Sequence, residues 1–290
     1  MPTQTEIRIQ ITNQIIEALE DGVIPWRKPW SSIGAYSFPT NISTKRFYRG
    51  VNVLLLQLTE MKAGYPFGLW ASYKQWKALG GQVRRGEKGT QIVFYKPISR
   101  TRTEDNGQEV EESFPLLRTF HVFNVAQVDG AFADNYRNAA PVETVFDDAS
   151  QKDFFRAVDA TEADIRYGGD KAYYARPPLD CIQIPQAEQF SSFSAFAETL
   201  LHELVHWSEW RLGWTGNYAE GELRAEIGSV FLSLSLAIPQ SGDLTNHVAY
   251  IQSWLKALKN DPGFIVRAAS AASKAADFVL SHSRDPVPAG

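Results

Sequence analysis

The chain is poor in sulfur-containing residues. Cys181 is its only cysteine, and Met1 and Met61 are its only methionines. A single cysteine can form neither an intramolecular disulfide framework nor the thiolate set of a zinc ribbon, so both scaffolds are excluded. A chain of 290 residues is nevertheless long enough to bury a sizeable core, which must hold the fold together without covalent links.

The sequence also lacks a long hydrophobic run and a recognisable leader. Its longest uncharged apolar stretch, residues 227–239, has 13 residues and is too short to span a bilayer. The first six residues lack the basic and apolar regions of a signal peptide. With 44% hydrophobic and 21% charged residues, the composition is typical of soluble globular proteins. We therefore expect a cytoplasmic protein with no membrane partner.

Charge is distributed unevenly along the chain. Residues 26–102 contain 14 Lys or Arg and only two acids, a local net charge of +12, whereas the rest of the chain carries −16. The length corresponds to about two average domains. We therefore predict two domains of different function, at residues 1–135 and 149–290, joined by an irregular acidic linker at residues 136–148. The basic half is expected to bind a polyanion.

Local patterns predict an α+β fold. The first half is expected to be mixed, and a capping box at residues 3–6 begins its first helix. Its predicted helices lie at residues 3–22, 51–62 and 72–79, and its strands at residues 91–98 and 116–128, joined by an acidic, polar excursion at residues 103–113. The second half is expected to be mostly helical with a small sheet. Its predicted elements are a helix at residues 151–160, short strands between residues 165 and 184, and several helices to about residue 281.

The strongest chemical signal is a pair of histidines with a glutamate between them. His202, Glu203 and His206 form the pattern His-Glu-x-x-His within residues 196–210, which have apolar residues at helical spacing and no Gly or Pro. On a helix, side chains four residues apart share a face, so both imidazoles can bind one Zn²⁺ ion. Glu203 then lies beside the ion, where a general base belongs. The alternative is a helix whose histidines cap or pair with nearby acids.

A catalytic zinc site needs a third protein ligand. A metzincin would have glycine and histidine where this chain has Glu209 and Leu212, and no methionine turn follows the helix. Zincins with a glutamate ligand carry it on a second helix, about twenty residues further on. Glu226, 20 residues after the second histidine, is the favoured ligand. Glu222, one turn earlier, is either a supporting partner or the ligand itself, and His247 is a weaker rival.

A short strand precedes the predicted zinc helix. Residues 179–185 are typical of a strand ended by proline. In zincins an edge strand lies beside the metal and can pair with an extended peptide. Tyr173 and Tyr174, on the preceding strand, could direct a phenol towards an oxyanion. The alternative is that both are half-buried strand residues.

The basic half interleaves cations with aromatic rings. Residues 26–102 hold 13 of the 36 aromatic residues, including four of eight tryptophans. Cations neutralise phosphates and exposed rings stack on unpaired bases, which favours single-stranded over duplex nucleic acid. The alternative is a tryptophan-rich core inside a solvated basic surface. The predicted contacts are Trp26, Arg27, Lys28, Trp30, Lys45, Arg46, Tyr73, Trp76, Arg84, Arg85 and Lys88.

Motifs in both halves resemble one protein family, the ArdC-type antirestriction proteins. The N-terminal motifs are Pro-Trp-Arg-Lys-Pro-Trp at 25–30, Tyr-Arg-Gly-Val-Asn at 48–52, Trp-Ala-Ser-Tyr-Lys-Gln-Trp at 70–76, Gly-Glu-Lys-Gly at 86–89 and Phe-Asn-Val at 123–125. The C-terminal motifs are His-Glu-Leu-Val-His at 202–206 and Ala-Glu-Ile-Gly at 225–228. The resemblance covers nearly the whole chain, with the motifs in the family's order.

The resemblance implies a function for each half. It implies that the first domain binds single-stranded DNA and that the protein protects incoming plasmid DNA from host restriction during conjugation. For the second domain it implies a zincin-like metallopeptidase fold, with His202, His206 and Glu226 as ligands of Zn²⁺ or another divalent ion such as Mn²⁺, and Glu203 as base. Two hypotheses stay open: a DNA-binding shield, and a DNA-tethered peptidase that cleaves a host restriction or other DNA-associated protein.

Overall fold

The computed structural model describes residues 2–27, 38–103, 109–137, 147–241 and 245–283. The predicted α+β class is confirmed, with a mixed first half and a mostly helical second half. The helices of the first half are α1 (Gln4–Glu20), α2 (Val51–Ala63), α3 (Tyr73–Ala78) and α4 (Ala131–Arg137). Its strands are β1 (Thr40–Asn41), β2 (Arg46–Phe47), β3 (Leu69–Ala71), β4 (Gln82–Val83), β5 (Thr90–Thr103), β6 (Glu109–Asn124) and β7 (Val128–Asp129).

The predicted capping box at the start of α1 is confirmed. The Thr3 side chain accepts a hydrogen bond from the backbone N–H of Glu6, and the Glu6 carboxylate accepts one from the backbone N–H of Thr3. These bonds satisfy two N–H groups that have no partner within the helix. None of the described helices is long and apolar enough to cross a membrane.

A long hairpin dominates the five-stranded sheet, whose order is β2-β1-β3-β6-β5. Its arms pair without a break from Thr90 opposite Val122 to Thr103 opposite Glu109. The expected polar excursion at residues 103–113 is therefore wrong for residues 103 and 109–113, whose backbone is paired in the ladder, whereas residues 104–108 lie outside the described ranges. On the outer edge of β5, the Asn52 amide exchanges two hydrogen bonds, of 2.7 and 2.8 Å, with the backbone of Val93.

The second half contains the remaining helices and a small sheet. Its helices are α5 (Asp148–Asp159), α6 (Phe193–Arg211), α7 (Tyr218–Ser235), α8 (Thr245–Asn260) and α9 (Phe264–Ser281), and its strands are β8 (Asp164–Tyr167), β9 (Tyr173–Ala175) and β10 (Cys181–Ile184). The sheet has the order β8-β10-β9, so β9 is an edge strand. Both β9 and β10 contact α6.

Helix α1 belongs to the same hydrophobic core as the C-terminal helices. Ile7, Ile11 and Ile15 recur at helical spacing and are buried in one continuous cluster with residues of α6, α7 and α9. Each buried isoleucine contributes about 1.5–3 kcal/mol relative to an exposed one. Helix α1 packs on α8, and α2 packs on α9. The predicted linker at 136–148 stays a prediction, since residues 138–146 lie outside the described ranges.

Candidate metal centre and its cleft

Helix α6 presents both motif histidines on one face. It begins after Ser192, whose side chain accepts a hydrogen bond from the backbone N–H of Ala195. Its other face is buried in the core, which fixes the rotation of the helix. His202 and His206 face a cleft, and their Nε2 atoms lie 3.2 Å apart. That separation suits one ion held at about 2.0–2.1 Å from each nitrogen.

Helix α7 brings a carboxylate to the histidines. Glu222 places Oε2 at 3.7 Å from Nε2 of His202 and Oε1 at 3.6 Å from Nε2 of His206. One donor atom from each of the three residues lies within 4.8 Å of the others. The two helices approach closely because residue 228 is glycine: a Cβ there would lie 2.8 Å from Cγ2 of Val205. The structure therefore groups three potential metal ligands.

Glu226, the ligand favoured from spacing, is not part of this group. It lies one turn further along α7, and its Oε1 accepts a hydrogen bond from Nε of Arg27 at 3.4 Å. The spacing rule does not separate two carboxylates one turn apart, because the crossing of α6 and α7 decides which one reaches the histidines. The geometry favours the sequence alternative, Glu222. The side chain of His247 lies outside the described residues.

Glu203 lines the same cleft without belonging to the ligand group. Its side chain is buried, and strand β9, which carries Tyr174, contacts α6 beside it. Burial raises the pKa of Glu203, against the opposing influence of His202 and His206. The carboxylate thus lies between the edge strand and the histidine pair, where it can exchange a proton with a molecule bound in the cleft.

Negatively charged carboxylates surround the imidazole of His202. Burial by itself would lower its pKa, but the nearby carboxylate of Glu222 and the charges of Glu203 and Glu226 outweigh burial and raise the pKa. For Glu222, burial would raise the pKa, but His202 and His206 outweigh it and lower the pKa. Several carboxylates converging on two imidazoles make this a favourable place for a cation.

The cleft has a volume of about 1220 Å³ and an aromatic rim. The phenol of Tyr174 donates a 2.7 Å hydrogen bond to Asp180, which holds it at the strand end, whereas Tyr173 is exposed. Tyr218, one turn before Glu222 on α7, is also exposed, and its hydroxyl lies 3.4 Å from that of Tyr250. Sequence reasoning missed Tyr218, although its spacing of four residues from Glu222 would have indicated a shared face.

Three of the predicted DNA contacts are buried. Trp26 and Trp76 are 0% exposed, so neither ring can stack on a base. Trp26 packs edge-to-face against Trp254, with ring centroids 5.6 Å apart. Arg27 is 8% exposed and reaches into the cleft, where it also donates to Glu198 at 3.1 Å. For these three residues the alternative interpretation, a tryptophan-rich core, describes the structure better.

The remaining predicted DNA-contact residues differ in how far their side chains are exposed to solvent. Arg84 is half-buried and pairs with Glu87 at 2.8 Å. Lys28 and Trp30 lie outside the described residues. Those that are exposed are Lys45, Arg46, Tyr73, Arg85 and Lys88.

The predicted DNA contacts do not include three aromatic residues of the first half that are exposed in the structure. Phe47, Phe94 and Phe120 are 54%, 59% and 50% exposed. Phe94 and Phe120 are neighbours on the hairpin, with ring centroids 6.5 Å apart, and Arg118 is the cross-strand partner of Phe94. Their exposure depends on which face of the sheet is covered, which the sequence alone does not reveal.

Two family descriptions match the chain. The family described as the N-terminal domain of anti-restriction factor ArdC matches residues 5–123. The family described as zincin-like metallopeptidase matches residues 152–271. The second range includes the three grouped side chains and Glu203, whereas Arg27 lies in the first.

Similar proteins include two crystal structures of the antirestriction protein ArdC from plasmid R388. The metal-free one is 38% identical, with a TM-score of 0.77 over 96% of this chain and 98% of that one. The Mn(II)-bound one is 36% identical, with a TM-score of 0.76 over 97% and 99%. Protein y4eC of Sinorhizobium fredii is 35% identical over 98% of this chain and 94% of its own length. DNA primase TraC of Escherichia coli is 36% identical over 96% of this chain, which spans only 27% of the primase.

Proposed function

Because the chain belongs to the ArdC family of antirestriction proteins, with a zincin-like metallopeptidase domain, we propose that it binds single-stranded DNA and protects incoming plasmid DNA from host restriction during conjugation. We propose further that its cleft is a metal-dependent peptidase centre. The observation that carries this second part is the convergence of His202, His206 and Glu222 beside Glu203 in an open cleft.

The donor set fits a divalent cation. Two imidazoles and one carboxylate are the protein ligands of a catalytic zinc site, whereas a structural zinc site uses four protein ligands. Two other carboxylates of the cleft have partners of their own: Glu198 is bonded to Arg27, and Glu209 to Arg176. Held by the three ligands, Zn²⁺ or Mn²⁺ would supply Lewis-acid activation of a water molecule and of a substrate carbonyl.

Glu203 is the proposed general base. Its carboxylate adjoins His202 in sequence and lies in the cleft without joining the ligand group. It can therefore accept a proton from water and return it to the leaving amine of a cleaved peptide. Strand β9 lies beside it, and no strand among the described residues pairs with its second edge, so an extended peptide can add to this edge by backbone hydrogen bonds. The proposed substrate is a protein met on or near DNA.

The proposed DNA surface combines the exposed cations with the exposed rings of the first half. Lys45, Arg46 and Phe47 are consecutive and exposed. Exposed rings can stack on successive unpaired bases while the cations neutralise phosphates, without requiring a particular sequence. Protection of plasmid DNA then follows from occupancy of the single strand that enters the recipient cell.

Ion and DNA binding by the 290-residue chain test the two parts of the proposal. We expect one Zn(II) or Mn(II) per chain, and loss of most of it in His202→Ala and in His206→Ala. We also expect tighter binding to a single-stranded oligonucleotide than to its duplex, with affinity falling steeply as salt rises. Ion content that survives loss of both histidines would refute the metal centre. Equal binding of the two DNA forms would refute the single-strand proposal.

A further inference from the structure

Glu209 contacts His206, one of the proposed metal ligands, through the ring nitrogen that is not directed at the other ligands. It lies three residues after His206 on α6, and its Oε1 is 2.9 Å from Nδ1 of that histidine. Nδ1 is the ring nitrogen that faces away from the ligand group, since Nε2 of His206 is the atom close to His202 and Glu222. The imidazole of His206 therefore lies between the other two potential ligands, on its Nε2 side, and the buried carboxylate of Glu209, on its Nδ1 side.

The carboxylate of Glu209 is itself held in place. It is 3% exposed, and its Oε2 accepts a 2.9 Å hydrogen bond from Nη2 of Arg176. Its Oε1 also lies 3.6 Å from Nη1 of Arg224, a buried guanidinium that donates to the backbone oxygen of Val205 at 2.9 Å. Two cations thus compensate the buried charge, which would otherwise be costly.

Residue 221 leaves room for this arrangement. A Cβ at Gly221 would lie 3.4 Å from Oε1 of Glu209 and 3.2 Å from the ring of Trp214. The ring would have to shift by a few tenths of an ångström, whereas 3.4 Å is an ordinary van der Waals contact with the carboxylate. The direction of the Glu209 carboxylate is therefore set by its polar partners, His206 and Arg176, with Gly221 leaving space beside it.

A carboxylate in this position has a defined chemical effect on a histidine ligand. When Nδ1–H donates to a carboxylate, the proton is kept on Nδ1, and the lone pair of Nε2 is available for a metal. The hydrogen bond also fixes the ring orientation and makes the imidazole a better donor. Loss of such an outer partner typically weakens metal binding on the order of 10–100-fold.

We propose that Glu209 is a positioning residue that fixes the tautomer and orientation of His206 for metal binding. This inference rests on the proposed metal centre and extends it by one residue. Glu209 itself is not a ligand, since its two oxygens are directed to His206 and to Arg176.

The test is the affinity of the 290-residue chain for Zn(II) and for Mn(II), measured by competition with a chromophoric chelator. We expect Glu209→Gln to bind both ions on the order of 10-fold more weakly than the wild type, and Glu209→Ala up to about 100-fold more weakly. Glutamine keeps an oxygen that can accept from Nδ1–H but loses the charge, whereas alanine removes the acceptor. This order distinguishes positioning from a general loss of packing.

Glu60→Gln is the matched control. Glu60 is a buried glutamate, 1% exposed, whose Oε1 accepts a 2.8 Å hydrogen bond from Nε1 of Trp70, and neither residue lines the cleft. We expect it to lower the melting temperature while leaving both ion affinities unchanged. The Mn(II) electron paramagnetic resonance spectrum should change in the Glu209 variants and not in Glu60→Gln.

Two outcomes separate this inference from the proposed function. If the histidine variants lose the ion but both Glu209 variants bind it as tightly as Glu60→Gln, Glu209 has no positioning role and the inference is overturned. If the histidine variants also keep the ion, the metal centre itself is refuted. Within a His206→Ala background, Glu209→Gln should have no further effect, because Glu209 acts through that ring; an undiminished effect there would also overturn the inference.

Discussion

Arg27 donates through Nε to Oε1 of Glu226 at 3.4 Å, although 199 residues separate them in sequence. The same guanidinium donates to Glu198 at 3.1 Å and to the backbone oxygen of Ser241 at 3.2 Å. One arginine from the basic half therefore compensates two buried carboxylates that line the cleft of the acidic half. Together with helix α1 in the shared core, this contact makes the two halves structurally interdependent.

Arg27→Met should destabilise the protein strongly. The substitution leaves Glu198 and Glu226 buried without their guanidinium, and breaking a buried ion pair by removing one partner costs about 3–5 kcal/mol. Urea denaturation measures this loss as a lower free energy of unfolding. Arg49→Met is the control, because Arg49 also joins the halves, through an exposed ion pair with Asp277, and should cost less than about 1 kcal/mol. Equal costs for the two variants would contradict the proposed role of Arg27.

Glu222 and Glu226 should differ sharply as metal ligands. Glu222→Gln removes a carboxylate from the group of three and should weaken Zn(II) binding beyond the ~10–100-fold cost of losing an outer partner. Glu226→Gln keeps an oxygen that can accept from Arg27 and should weaken it less. Chelator competition on the two variants side by side decides the matter. A larger loss in Glu226→Gln would restore the assignment based on spacing.

Local patterns predicted most of the fold because they depend on neighbouring residues. The capping box of Thr3 and Glu6, the helical spacing of Ile7, Ile11 and Ile15, and the His-Glu-x-x-His helix are all properties of short segments. The length of the hairpin was underestimated, because polar residues can continue a ladder when the strand opposite them supplies the hydrogen bonds. The burial of α1 against helices from the other half could not be predicted, since it is a contact between distant segments.

The part of the candidate site that lies on a single helix could be predicted from the sequence. His202, Glu203 and His206 lie on α6, and the spacing of the motif places them together. The choice between Glu222 and Glu226 depends on how α7 crosses α6, and Gly228, which allows the close approach, gives no sequence signal of its own. The basic half illustrates the same limit, because charge counts indicated a polyanion-binding surface but not which aromatic rings face outward.

Exposed rings, not buried ones, should determine the affinity for single-stranded DNA. Phe47→Ala and Phe94→Ala should each cost about 1–3 kcal/mol of binding if the ring stacks on a base. Fluorescence anisotropy with a labelled oligonucleotide at fixed salt measures this cost. Tyr167→Ala, which removes a similarly exposed ring from the second half, should leave the affinity unchanged. If all three variants bind as the wild type does, base stacking on these two phenylalanines is excluded.

Asp180 should contribute its full stabilisation above about pH 4 and lose it gradually below that pH. Hydrogen bonds from Arg211, at 3.1 and 2.7 Å, and from Tyr174, at 2.7 Å, hold the pKa of Asp180 below its usual value of about 3.9. Because the folded-state pKa is depressed, the contribution is complete above the unfolded-state pKa and is lost as the pH falls through the folded-state pKa. Asp180→Asn should therefore lower the free energy of unfolding at pH 7 by about 0.5–1 kcal/mol, a small value because the pair is partly exposed.

The difference between wild type and Asp180→Asn should shrink as the pH is lowered below 4, in denaturation curves recorded at several pH values. Asparagine suits the left-handed backbone at this position, where φ is 45°, so the substitution adds little strain. Asp153→Asn, which removes an exposed helical ion pair with Arg156, controls for the loss of one carboxylate. A difference that stays constant from pH 7 to pH 3 would show that Asp180 contributes through packing rather than charge.

Glu203→Gln separates the DNA-binding role from the peptidase role. The amide cannot accept the proton of a water molecule, so any peptidase activity should disappear, while the fold, the ion content and DNA affinity stay intact because Glu203 is outside the ligand group. A conjugation assay into a restricting recipient then measures protection by the variant. We expect full protection, because occupying a single strand requires only binding, whereas destroying a restriction enzyme requires a recognition specificity that nothing in the sequence indicates. Lost protection with unchanged DNA affinity would instead make proteolysis the mechanism, and recipient restriction proteins would be the first substrates to test.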